Sequence, residues 1–138
     1  MNEYTFDQLP IGKQEEMTVT ISDNEIDQFA AFSGDCSTIH KDDDYAVGRG
    51  FKKRLAHGML VGAYISALIG MKLPGKHGLL KNIKCNFRLP CYAPNVLTLK
   101  GVVTRRSEAI KIVTIRISIT DKEGTEIVQA EANSVLKF

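Results

Sequence analysis

The densest run of chemistry-bearing side chains in this 138-residue chain is Asp35-Cys36-Ser37-Thr38-Ile39-His40-Lys41-Asp42. A carboxylate and an imidazole with four residues between them in a loop can both turn inward onto one water or one substrate proton, the geometry of general acid–base chemistry. A pocket around them would shift both groups toward neutrality and bring acid and base near working pH. On spacing alone the same pair also reads as a helix-ending Asp and a surface His. No metal-ligand spacing accompanies it, so no metal is expected. The run Asp42-Asp43-Asp44 reads as a solvated acidic stretch.

Further candidates follow downstream. At Ala56-His57-Gly58-Met59 a glycine opens an apolar helix, where unpaired N–H groups at the positive end can polarise a carbonyl oxygen. Ser66 is a polar side chain within that helix, although a mid-helix serine commonly bonds back to a carbonyl one turn earlier. Arg49, Lys52, Lys53 and Arg54 surround Phe51, either as an ordinary wet loop edge or as a docking point for phosphates. Cys36 is a poor nucleophile candidate, because the neighbouring carboxylate discourages its thiolate. His77, in the turn-like PGKHG, and Cys85 and Cys91, in strand-like surroundings, are not site candidates.

The elements that would position these groups can be read from periodicity. Met17 to Ile21 alternates apolar and polar residues, as a strand with one buried face does. Ser22 and Glu25 have capping-box spacing, Ile26, Phe29, Ala30 and Phe32 follow at helical spacing, and Gly34 can close the helix, which predicts a helix from Asp23 to about Ser33. Residues 34–54 are expected to run irregularly, with a short helical turn at Asp43 to Val47. HGMLVGAYISALIG, from His57 to Gly70, is apolar nearly all round and reads as a helix packed on several sides. The final third reads as four consecutive antiparallel strands, a meander. Together these describe an α+β fold, a curved antiparallel sheet wrapped around one long buried helix, with Gly62, Ala130 and Ala132 permitting close approach.

The length suits one domain over residues 1–138. With 25% charged and 43% hydrophobic residues, neither a disordered tail nor a disulfide scaffold is indicated. Eighteen Lys and Arg against sixteen Asp and Glu leave +2, too balanced to suggest nucleic acid or an anionic membrane as partner. The apolar stretch Met59 to Met71 is shorter than the roughly 20 residues a membrane helix needs. Three cysteines without a CxxC pair, and an N-terminus lacking an apolar signal region, point to a reducing cytoplasm.

FSGDCSTIHKDDDYA followed by GFKKRLAHGMLVGAYISALIG resembles the MaoC-like, R-specific enoyl-CoA hydratases of the hotdog fold. Gly34, Asp35, Ile39, His40 and Asp42 match that family's loop signature, and His57, Gly58 and Met59 match its helix start. Ser37 and Thr38 stand where the family usually has Asn and Pro. The resemblance implies that Asp35 and His40 hold and activate a water, that Ser66 is a supporting active-site serine, and that the N–H near Gly58 polarises a thioester carbonyl. It further implies a homodimer joined sheet edge to sheet edge, with an acyl tunnel between subunits. His57 would line the substrate site, while Arg49, Lys52, Lys53 and Arg54 would meet CoA phosphates or an acyl carrier protein. The expected reaction is reversible hydration of an enoyl thioester without any cofactor. A hotdog acyl-thioesterase and a non-catalytic acyl-thioester-binding subunit are the alternatives. Tyr64, Leu68 and Phe87 are candidates for the tunnel floor.

Overall fold

The structure is a computed structural model, and it describes residues 1–136. After a 3-10 turn at Phe6–Gln8 come strand β1 (Gln14–Ile21), helices α1 (Asp23–Ser33), α2 (Thr38–Lys41), α3 (Asp43–Gly48) and α4 (Gly58–Met71), then strands β2 (Gly78–Phe87), β3 (Asn95–Ser107), β4 (Ile112–Thr120) and β5 (Glu126–Leu136). Helix α1 begins as its sequence requires, with the Ser22 N–H donating to Glu25 Oε2 at 2.6 Å. Gly34, at φ +81°, ends it in a left-handed conformation that a side chain would resist.

The five strands form one antiparallel sheet in the order β1-β3-β4-β5-β2. The expected four-strand meander is therefore correct only for β3, β4 and β5. Strand β2 crosses to the far edge and pairs with β5, with Cys85 opposite Ala130 and Phe87 opposite Val128. The connection from β2 to β3 carries Pro90 and Pro94, neither of which has an N–H to give a tight hairpin ladder.

Helix α4 lies in the concavity of the sheet, with Ile65 and Leu68 fully buried alongside Leu97, Leu99, Ile115 and Ile117. Each such side chain contributes about 1.5–3 kcal/mol by leaving water. Contact with β3 is close at Gly101, where a Cβ would stand 3.2 Å from both Leu68 and Ile115. Ala130 and Ala132 are buried on β5, as expected of the small residues there. Among the described residues no helix is long and apolar enough to cross a membrane.

The segment expected to be irregular contains two short helices. Asp42 caps α3 by accepting the Tyr45 N–H at 2.7 Å, and Asp43 accepts the Arg54 N–H at 2.9 Å. Two members of the supposedly solvated acidic run are thus structural. Their placement puts His40 on one short helix and Arg54 against the start of the next.

Candidate active site

Asp35 leaves α1 directly after Gly34, and its main-chain N–H donates to Ser33 Oγ at 3.1 Å. Its Oδ1 accepts the Ser37 hydroxyl at 2.7 Å and the Ser37 N–H at 3.2 Å. Both bonds favour the ionised carboxylate, so Ser37, first through its hydroxyl and then through its N–H, holds the Asp35 carboxyl below the usual range. The outer oxygen, Oδ2, faces His40.

His40 Nδ1 lies 2.9 Å from the Leu55 carbonyl oxygen. A carbonyl only accepts, so Nδ1 carries the hydrogen and Nε2 presents a lone pair. That lone pair stands 3.9 Å from Asp35 Oδ2, with the imidazole largely buried and the carboxylate half exposed. The separation is too long for a direct hydrogen bond, but two acceptors so placed can share the two hydrogens of one water.

His57 is the N-cap of α4, and no side chain caps the helix, so the N–H groups of its first turn, beginning with Gly58, have no intrahelical acceptor. Gly58 and His40 line one apolar cavity of about 330 Å³, together with Val61, Phe87, Cys91 and Val128. The Phe87 ring leaves no spare room over the helix start, since a Cβ on Gly58 would meet it at 3.3 Å. Burial pushes the Cys91 thiol up to about 11, so it serves as an apolar wall there.

Asp35, His40 and His57 bring one ligand-type atom each within 4.8 Å of one another, a grouping that sequence spacing did not reveal. The grouping is nevertheless poorly built for a metal. The two imidazoles stack at 3.9 Å and 26°, so their in-plane lone pairs run side by side instead of converging. His57 Nε2 is also already committed to the Asp35 carbonyl at 2.9 Å.

The other expected site residues are placed unequally. His57 is 2% exposed and turned toward the protein, so it does not present itself to a ligand as expected. Arg54 requires the same correction. Its guanidinium is 14% exposed and clamped by Asp27 at 2.8 Å and Asp23 at 3.2 Å, which tie it to α1 and leave it unfit to hold a phosphate. Lys52 and Lys53 do line a cavity of about 610 Å³, with Tyr92 and Lys122, and this cavity shares Leu89 and Pro90 with the first. Arg49 lines neither cavity, and its guanidinium stands 6.0 Å from the Tyr45 ring. Ser66 is exposed, eight residues and so about 12 Å along α4 from Gly58, and one chain does not bring it to the dyad. Of the three tunnel-floor candidates, Phe87 lines the cavity of His40 and Gly58, whereas Tyr64 and Leu68 are not among its walls.

Residues 7–125 match the MaoC like domain family. The chain belongs to the MaoC-like family. An "(R)-specific enoyl-CoA hydratase" of Rhodospirillum rubrum is 34% identical over 127 residues, spanning 92% of this chain and 88% of that protein. A "3-hydroxybutyryl-CoA dehydratase" of Methylorubrum extorquens is 29% identical, over 89% of this chain and 77% of that one. Among solved structures, the R-hydratase PhaJ1 of Pseudomonas aeruginosa superposes with a TM-score of 0.88 at 31% identity, covering 95% of this MaoC-like chain and 84% of its own. The (R)-hydratase of A. caviae also gives 0.88, at 29% identity and 94% and 98% coverage. These likenesses agree with the hotdog arrangement of sheet and central helix described above.

Proposed function

We propose that this protein is an (R)-specific enoyl-thioester hydratase, acting in reverse as a 3-hydroxyacyl-thioester dehydratase. The observation that carries the reading is that Asp35 Oδ2 stands 3.9 Å from His40 Nε2, and that His40 lines an apolar cavity together with Gly58 at the uncapped start of α4. A water held between the two acceptors attacks C3 of the enoyl thioester. His40 Nε2 takes its proton and delivers it to C2, so the net change is one water added. Charge that builds on the thioester oxygen meets the N–H at Gly58, the kind of donor worth about 3 kcal/mol to such a transition state.

Lys52 and Lys53 supply cations where the carrier would lie, because the cavity they line adjoins the acyl cavity. CoA or an acyl carrier protein would both present phosphate there. The protein acts as a homodimer. Strand β2 is a sheet edge whose Leu79, Leu80, Ile83 and Phe87 are exposed in a single chain, and a second copy of the same edge would cover them. A dimer would also give the exposed Ser66 a neighbour across the interface. Three free cysteines suit a cytoplasmic enzyme.

The test is an assay panel of enoyl thioesters from crotonyl upward, on CoA and on carrier protein, followed by loss of the enoyl absorbance. Hydration on either carrier is expected. Unchanged substrates throughout would sink the reading, and thiol release from saturated acyl-CoA would replace it with thioesterase chemistry.

A further inference from the structure

His57 does more than begin a helix. Its ring is 2% exposed, wedged between Phe29, at 4.7 Å between centroids, and His40, stacked at 3.9 Å. Nε2 lies 2.9 Å from the Asp35 main-chain oxygen, while Nδ1 is buried without any partner. Because the carbonyl can only accept, Nε2 carries the hydrogen and Nδ1 is the bare nitrogen; a hydrogen on Nδ1 would be buried and unsatisfied. Neither nitrogen can therefore reach a substrate.

The same short segment holds both halves of the dyad. Leu55 accepts from His40 Nδ1 at 2.9 Å, and its N–H donates to the Ile39 carbonyl at 3.1 Å. Two residues on, His57 fastens the main chain of Asp35, and its own carbonyl accepts the Val61 N–H at 3.2 Å in the first turn of α4. One side chain thus touches the carboxylate loop, the imidazole and the oxyanion-binding helix start.

We infer that His57 is the positioning residue of the site, which sets the Asp35-to-His40 spacing through its Nε2–H bond to the Asp35 carbonyl and its stack on the His40 ring. This rests on the hydratase reading for its kinetic consequence, but the tautomer and the bond stand on geometry alone. A misplacement of about 1 Å at a reacting group can cost on the order of a hundredfold in rate.

Two variants of the full-length protein separate the bond from the packing. His57→Phe keeps an aromatic ring for the stack, removes the donor, and also removes the unsatisfied Nδ1. His57→Gln places an amide N–H where Nε2–H stood. The expected result for His57→Phe is a kcat lowered about tenfold or more, with KM within about threefold and an unchanged or higher melting temperature. His57→Gln should recover most of that kcat. Nitrogen-15 NMR of the histidines should show His57 as the Nε2–H tautomer. A kcat within twofold of wild type in His57→Phe would overturn the inference. So would a rise in KM at constant kcat, equal loss in both variants together with lower melting temperatures, or a hydrogen found on Nδ1. Should wild type itself fail to hydrate enoyl thioesters, the NMR result still decides the placement of His57, so the two failures are distinguishable.

Discussion

Asp35 and His40 are held by different surroundings. Ser37 donates twice to Asp35 Oδ1 and keeps that carboxylate ionised, whereas His40 is oriented by a main-chain carbonyl that dictates which nitrogen is bare. Asp35→Asn and His40→Gln each remove one of the two acceptors for the water. Each should lower kcat by about 10²- to 10⁴-fold with little change in KM, measured by steady-state hydration of an enoyl thioester. Ser37→Ala is subtler. It removes the donor that contributes most to lowering the Asp35 pKa, so that pKa rises, and the acid limb of the kcat/KM profile should move to higher pH. A profile that stays put would mean that the Asp35 charge does not limit the rate. At this scale the sequence was informative about which two side chains meet, since the loop signature contains both Asp35 and His40, which the fold brings to 3.9 Å. It could not show that His57 joins them, because stacking depends on where the chain returns after α3.

At the scale of elements, the clamp of Arg54 on Asp23 and Asp27 fastens α1 to the segment that leads into α4. Arg54→Ala should lower stability by about 1 kcal/mol in chemical denaturation, a modest figure because both carboxylates are half exposed. By contrast, Lys52→Ala with Lys53→Ala should leave stability unchanged and raise KM for a CoA thioester, most strongly at low salt. The four cations look equivalent as a string of letters; their difference lies in acidic partners more than twenty residues away. Helix α1 was legible because its capping box and its closing glycine are local. Strand β2 was legible as a strand but not as an edge, because alternation records which face is buried and not which neighbour pairs.

For the molecule as a whole, that edge decides whether one chain suffices. Leu79, Leu80, Ile83 and Phe87 lie exposed along the edge strand β2, which pairs with β5 on one side alone, while α4 carries Met59 and Ser66 on its outer side. Ile83→Asp should convert a dimer to a monomer in light scattering and reduce turnover, yet leave the far-ultraviolet spectrum unaltered, because 41% of Ile83 already faces water in the single chain. A variant that remains dimeric would place the interface elsewhere. The α+β plan of a sheet around one helix was readable from periodicity, and its hotdog identity from two motifs; the partner of an exposed edge is written in neither. The central claim is that the Asp35 and His40 pair adds water to an enoyl thioester, and the most direct measurement compares wild type with Asp35→Asn and His40→Gln on crotonyl-CoA and longer enoyl thioesters, on CoA and on carrier protein. Rapid loss of the enoyl absorbance by wild type, giving the (R)-3-hydroxyacyl product and nearly abolished in both variants, is the predicted result. An inert wild type, or variants that turn over as fast as wild type, would contradict it.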